Sequence, residues 1–577
     1  MVNLYKRMGV YINYIVPIII LVFVQVMAEL YLPTLMSDIV DIGILKNDIN
    51  YIFRVGLYMV FIALIGTVAA ILASYYASKT SSSFGRDLRQ EVFSRVQSFS
   101  LKEFDNLGTS SLITRTTNDV SQVQALSLTM LRVFVRAPIM GIGGIVLALY
   151  KEPRLSLTLI VVIALMIILI VSLSRRSIKL YKAIQIKIDK LNLVVRERLT
   201  GVRVIRAFNR KDEQLLRFEA ANEDLVQASI DVNRLMAMLM PIMMLLFNLT
   251  TVAIIWFGGF RIEASAMEIG DLMAFIQYAM QIMFSVVMMT MVFMMIPRAS
   301  ASASRINEVL ELESDIKDPS NPVTPDAFNK EDSLIKFSNV SFKYLGAEEC
   351  ALKNINFDIK RGELVAIIGG TGSGKSTLIN MLPRFYDPTS GDIYIDGLKL
   401  QEYSRDKLRS KIGFVPQKSV LFSGSIEDNL RYGKKDATDE EMREALDMSQ
   451  ASEFVDKLDD GIKSVLSQGG TNLSGGQKQR LSIARAFIRK SDLYIFDDSF
   501  SALDYKTSSN LKSSIKNNFK DATTIIVAQR ITSIMDCDKI IVMEEGKIDS
   551  VGTHSELLEN SIVYKEIVIS QLSKEEI

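Results

Sequence analysis

The sequence predicts a polytopic α-helical membrane domain of six long helices, followed by an α/β nucleotide-binding domain. Three observations carry that expectation. Six apolar stretches, all before residue 300, are each long enough to cross a bilayer, which takes about 20 residues. The rest of the chain alternates short apolar runs with polar sequence, as soluble α/β domains do. Within that part a strand pattern runs straight into Gly369-Gly370-Thr371-Gly372-Ser373-Gly374-Lys375-Ser376-Thr377. The composition agrees: 49% hydrophobic and 23% charged residues among 577, with a mean hydropathy of +0.22, coexist most easily when the two halves differ.

The membrane spans are expected near Ile15–Leu35, Val55–Ala73, Val133–Leu149, Leu155–Leu173, Met236–Phe257 and Leu272–Ile296. Lys6 and Arg7 precede the first without a small-residue cleavage site, which reads as a signal anchor. Short connections join spans one to two, three to four and five to six, whereas the other two connections are long and basic. Arg86, Arg89, Arg175, Arg176, Lys179, Arg196, Arg198, Arg203 and Arg206 lie there, so both long connections and both termini are expected in the cytoplasm. The polar periodicity of those connections predicts helices that continue well beyond the membrane.

Two features of this half point to a substrate cavity. Gln25 and Glu29 lie inside the first span, where an ionisable group is costly and usually faces a wet cavity. The alternative is that Glu29 snorkels or pairs near the outer surface. Of 27 methionines, 14 fall between Met236 and Met295; flexible thioethers suit varied apolar ligands, and they also simply pack helices. The expected division is a membrane domain over 1–297, a linker over 298–333 containing Pro319, Pro322 and Pro325, and a nucleotide-binding domain over 334–577.

Leu364–Ile368 is a buried-strand pattern, and an apolar helical pattern follows the glycine-rich loop, which gives a phosphate-binding loop its required context. Glycines let successive backbone N–H groups turn inward around phosphates, and the helix N-terminus adds its dipole. Lys375 is expected to reach the β- and γ-phosphates of ATP and Ser376 to ligate Mg²⁺. A second strand, Leu493–Phe496, ends in Asp497, which is placed to hold Mg²⁺ through water. Between them Leu473-Ser474-Gly475-Gly476-Gln477 opens a helix and is suited to a further phosphate.

In this order the motifs resemble those of an ATP-binding cassette (ABC) transporter, specifically an exporter half-transporter with one membrane domain fused to one nucleotide-binding domain. The resemblance spans nearly the whole chain and implies a helical subdomain in the cassette. It implies that Tyr344 stacks on adenine, that Gln417 joins Ser376 and Asp497 near Mg²⁺, and that Asp504 lies in the loop after the Asp497 strand. It also implies that Gly108–Asp119 and Glu197–Phe208 contact the cassettes. Two cassettes clamp two ATP molecules in such proteins, each between the phosphate loop of one and the Leu473–Gln477 signature of the other.

Two positions depart from the pattern. Asp498 stands where the family has a water-polarising glutamate, and Gln529 where it has a histidine; the chain's single histidine is His554. Ser467 replaces an acidic residue found in many relatives. These departures predict a site that binds ATP but hydrolyses it poorly, with the intact signature completing the site of a partner. The expected assembly is a heterodimer whose partner carries the glutamate and the histidine, exporting hydrophobic or amphipathic small molecules from the cytoplasm of a prokaryote across its membrane. A lipid or peptide exporter, or a regulatory subunit that holds ATP, are the alternatives. Lys+Arg 66 against Asp+Glu 65 gives no nucleic-acid footprint, and two cysteines (Cys350 and Cys537) give no disulfide framework.

Overall fold

The computed structural model describes residues 2–323 and 333–572. The end of the expected linker, 324–332, and the last five residues of the expected second domain, 573–577, lie outside the described residues. The chain forms two compact units, one of Met1–Gln97 with Thr109–Leu312, the other of Ser98–Gly108 with Glu313–Ile577.

In the first unit, each expected span lies inside a longer helix: Leu4–Ile44, Ile49–Gln97, Thr109–Lys151, Pro153–Thr200, Lys211–Glu263 and Ile269–Glu311. Hydrocarbon offers backbone groups no partners, so a spanning segment must satisfy its own, and these do so as helices. Each keeps a narrow buried stripe and turns the rest outward; Phe61, Ile168 and Trp256 are all more than 60% exposed. Val22, Val26 and Leu30 make the stripe of the first helix, Ala69, Ala73 and Ala77 that of the second. Small residues allow close approach there: a Cβ on Gly66 would sit 3.0 Å from that of Ala28. The helices run past the apolar spans as polar extensions. In these, buried Asp119 of the third helix accepts from Ser302 Oγ (2.8 Å) and Arg305 Nε (2.7 Å) of the sixth. Gly201 ends the fourth helix, and the short helix Val202–Ala207 that follows has no buried residue.

The second unit holds a six-stranded sheet in the order Lys547–Gly552, Lys539–Glu544, Leu364–Gly369, Thr523–Val527, Leu493–Asp497, Ile412–Val415. Only the first of these strands runs antiparallel to its neighbour. The central three are almost continuous apolar runs, as strands covered on both faces must be. A separate antiparallel sheet contains Ser333–Phe342 and Leu352–Lys360, and helices Ile426–Arg431, Asp439–Met448 and Gly475–Phe487 share one apolar core with the main sheet.

Ser98–Gly108, between the second and third membrane helices, folds with this unit. Its helix Leu101–Leu107 is closed by a capping box of Ser100 and Glu103, and Glu103 also accepts from Asp315 N at 3.4 Å. Asp105 accepts from Tyr386 Oη at 2.9 Å. Thr109–Asp119, within the stretch that the resemblance marks as cassette-contacting, forms the start of the third helix, where Ser302 and Arg305 donate to Asp119.

Candidate nucleotide site

Strand order gathers the motifs. Thr523–Val527 lies between Leu364–Gly369 and Leu493–Asp497, all parallel, so the phosphate loop, the Asp497-Asp498 pair and the segment leading to Gln529 leave neighbouring carboxyl ends. Gly372 (φ +83°) and Gly374 (φ +96°) take left-handed backbone, and the space beside the Cα of Gly370 and of Gly372 is open. A side chain there would fill the cradle, so glycine is what lets a phosphate approach the backbone. Ser373 and Thr377 are buried at its base.

Lys375 begins the helix Lys375–Met381 and folds over the loop, donating to Gly369 O (2.9 Å) and Gly370 O (2.7 Å). Burial lowers its pKa, opposed by the nearby Asp497 and Asp498 carboxylates. Ser376 Oγ donates to Asp497 Oδ1 at 3.2 Å. Burial raises the Asp497 pKa, so this acid gains most from a cation beside it. The hydroxyl and the carboxylate are hard oxygen donors of the type Mg²⁺ takes. The third expected ligand, Gln417, has its amide on another group.

That group is Asp498. Its backbone is left-handed (φ +47°), and its Oδ2 accepts from Gln529 Nε2 at 3.0 Å and Gln417 Nε2 at 3.3 Å. The two positions singled out as departures are thus hydrogen-bonded to each other. Gln571 holds the segment from beyond it: its Nε2 donates to Gln529 O (2.7 Å) and its Oε1 accepts from Ile531 N (2.9 Å). Nothing in the sequence marked Gln571, because only the fold brings the last described helix to this loop.

Tyr344 rests edge-on against Phe342 and Tyr386, with its hydroxyl 3.0 Å from Thr377 Oγ1. Its ring therefore borders the phosphate-loop helix. Ser474 caps the helix Gly475–Phe487: its Oγ accepts from Gln477 N (3.3 Å), and Gln477 Oε1 accepts from Ser474 N (2.8 Å). Leu473 packs against the core beneath, whereas Gly475 has open space at its Cα. The capped N-terminus of this helix is exposed at Ser474 and Gly475, far in sequence from the strand that carries the phosphate loop. Asp504 caps Tyr505–Asn518 by accepting from Thr507 N at 2.9 Å, and Ser467 closes a turn with Thr471 and Asn472.

In the membrane unit, Glu29 is paired. Arg136 Nη2 of the third helix donates to both of its carboxylate oxygens (2.9 and 2.7 Å), and Gln25 Nε2 donates to Oε1 at 2.9 Å. The sequence marked Gln25 and Glu29; Arg136, the base in an otherwise apolar stretch of the third span, was the signal for their partner.

The chain matches two family descriptions, "ABC transporter transmembrane region" over residues 15–286 and "ABC transporter" over residues 352–501. It is 40% identical over 557 residues to the uncharacterised ABC transporter ATP-binding protein YfiB of Bacillus subtilis, covering 96% of each chain. It is 30% identical over 555 residues to the ATP-dependent lipid A-core flippase of Desulfotalea psychrophila, covering 95% of each. Among solved structures, a bacterial Atm1-family ABC exporter with ATP bound superposes with a TM-score of 0.81 over 98% of this chain and 99% of that one, at 24% identity, a likeness of fold.

Proposed function

We propose that this chain, which belongs to the ABC transporter family, is one half of a heterodimeric exporter of amphipathic small molecules whose own ATP site is impaired in hydrolysis. The family supplies the coarser statement: a half-transporter with fused membrane and nucleotide-binding domains, coupling ATP hydrolysis to transport. The single observation that supports the finer one is the contact between Asp498 and Gln529 beside an otherwise complete set of binding groups.

The binding groups do their part through geometry. The phosphate loop wraps the triphosphate with backbone N–H groups, Lys375 turns from its two carbonyls to the phosphate oxygens, and Tyr344 takes the base. Ser376 and Asp497 would hold Mg²⁺, whose charge would offset that of the phosphate oxygens. Asp498 is the acid that would take the proton of the attacking water. Its carboxylate is one methylene shorter than that of glutamate, and one of its oxygens already accepts from two amides. Gln529 donates a hydrogen bond but carries no charge and passes no proton. The site is therefore suited to hold ATP rather than to split it. Ser474 to Gln477 are suited to complete a competent site on a partner that has the glutamate and the histidine. Val202–Ala207, with no buried residue, is a natural contact for the partner's cassette.

The basic long connections support a cytoplasmic position for both termini and both cassettes, in the inner membrane of a prokaryote. The proposed division is a membrane domain over 1–297, a linker over 298–333 and a nucleotide-binding domain over 334–577. The test is the ATPase activity of this chain alone, of the chain with a candidate partner, and of that pair carrying Ser474→Ala. Activity in the pair that collapses on Ser474→Ala is the expected result. Equal activity from the chain alone sinks the heterodimer reading. A lipid exporter is the second reading, favoured by the 30% identity to a chain named as a lipid flippase.

A further inference from the structure

The Glu29–Arg136 pair lies deep in the membrane unit. Glu29 is 15 residues from Ile44, Arg136 is 15 from Lys151, and Gln281 is 12 from Ile269, each counted to the helix end at a short connection. At 1.5 Å per residue these are about 18–22 Å inward, within a hydrocarbon layer of about 30 Å. There an ion pair gains little stability unless every donor and acceptor is used. This one is not fully used. A single nitrogen, Arg136 Nη2, straddles both carboxylate oxygens, instead of the two-nitrogen fork that makes arginine pairs strong. Arg136 Nε is buried without a partner, and so is Gln281 Oε1, although Gln281 Nε2 donates to Glu29 O at 3.3 Å. One donor and one acceptor are thus left over around the pair.

The same residues line a cavity of about 350 Å³. Met140, Met280, Met288, Phe247 and Phe284 form its apolar wall, and Glu29, Arg136 and Gln281 its polar end. The volume falls in the range of about 300–1,000 Å³ usual for small-molecule sites.

Resting on the reading of the chain as an exporter subunit, we propose that this cavity is a subsite for amphiphiles with a zwitterionic head group, which open the Glu29–Arg136 pair and take its place. The reason is charge balance. A cationic head that pairs with Glu29 strands Arg136 in a low-dielectric site, and an anionic head that pairs with Arg136 strands Glu29. Each leaves a half-buried charge at membrane depth without a partner, a costly arrangement. An uncharged head has nothing with which to displace either. A head carrying an ammonium and a phosphate or carboxylate pairs with both at once and leaves no charge behind. Arg136 Nε and Gln281 Oε1 then gain the partners they lack, while the alkyl chain lies among methionines that repack around different shapes.

The test uses the full chain in nanodiscs and a photoactivatable hexadecylphosphocholine, with labelling mapped to peptides containing residues 136–140 and 280–288. Competitors are unlabelled hexadecylphosphocholine, hexadecyltrimethylammonium and hexadecyl sulfate. The expected result is protection by the zwitterion at concentrations about tenfold below either singly charged competitor, equivalent to about 1.4 kcal/mol. Arg136→Gln should shift the preference to the cationic amphiphile, because Glu29 is then unpaired. Glu29→Gln with Arg136→Gln should abolish head-group preference. If that double variant does not fold, Glu29→Arg with Arg136→Glu keeps the pair and should keep the preference. Equal protection by all three heads, or an unchanged preference in Arg136→Gln, overturns the proposal. Labelling needs no ATP hydrolysis. A separate vesicle assay of ATP-dependent movement with a partner chain fails only if the exporter reading itself is wrong.

Discussion

Replacing Asp498 by glutamate and Gln529 by histidine together should convert the chain's own site into a hydrolysing one. The size of the effect follows from the site. Glutamate carries its carboxylate one carbon–carbon bond farther out, about 1.5 Å. Misplacement of a catalytic group by 1 Å can cost about a hundredfold in rate, or about 2.7 kcal/mol of barrier. A positioned histidine contributes a further factor of about a hundred where it acts in proton transfer or charge stabilisation. The two gains are coupled, because Gln529 Nε2 donates to Asp498 Oδ2 at 3.0 Å and Gln417 Nε2 to the same oxygen at 3.3 Å. Asp498→Glu alone leaves the Gln529 amide to draw the new carboxylate back; Gln529→His alone leaves the acid too short. Each single variant is therefore expected to gain less than about tenfold, and the double at least about a hundredfold, a non-additivity typical of groups that touch. The assay is steady-state phosphate release from the purified chain in nanodiscs, without a partner. An unaltered chain that already matches the double variant would refute the reasoning, as would single gains that multiply to the double.

Further outcomes can be checked at four positions. Lys375→Ala removes the charge that folds over the phosphate loop, so nucleotide binding by this chain should weaken by about 10- to 100-fold, the worth of charge-assisted hydrogen bonds of roughly 1.5–3 kcal/mol, read with a fluorescent ATP analogue. Ser474→Ala loses a helix cap worth about 1 kcal/mol, so the pair's ATPase should collapse while the melting temperature moves only a few degrees. Burial pushes the Cys537 thiol from 9.0 up to about 12, so at pH 8 iodoacetamide should label half-exposed Cys350 and spare Cys537, by mass spectrometry of the folded chain. Because that proton is held more tightly in the folded state, its contribution to stability is full below pH 9.0 and fades as the pH rises towards about 12, which alkaline melts of Cys537→Ala against the unaltered chain should show. Asp119→Asn breaks a buried acceptor of Ser302 and Arg305 and should cost about 3 kcal/mol, seen as a lower detergent-solubilised melting point.

What the sequence made legible was whatever depends on contiguous residues. Apolar length is such a property, and it placed all six membrane helices; glycine spacing between a strand and a helix is another, and it located the phosphate loop. The two departures at Asp498 and Gln529 were visible as identities. Their hydrogen bond was not, since 31 residues separate them and only the strand order beside Thr523–Val527 brings them together. The same holds for Gln571, which anchors the loop after Gln529 from 42 residues away, and for Arg136, whose partner is 107 residues distant. The bonds from Ser302 and Arg305 that bury Asp119 were hidden in the same way, since more than 180 residues separate them from it.

The placement of the two departures bears on how the proposed heterodimer would work. Gln529 follows the strand beside the phosphate-loop strand and Asp498 the next strand over, whereas Ser474 caps the helix Gly475–Phe487. In that heterodimer, a change at 498 or 529 would act on the nucleotide this chain holds, and a change at 474 on the nucleotide a partner holds. On the heterodimer reading, one of two sites keeps its ATP through many cycles. A ligand shifts a conformational equilibrium only by its differential affinity for the two states. ATP that is bound but not split continues to favour closed cassettes, and only the partner's site changes its ligand during turnover. Opening then has to overcome the interactions of one nucleotide instead of two. On that reading, a chain that keeps its ATP-binding groups but carries Asp498 and Gln529 would suit a transporter that must reset quickly.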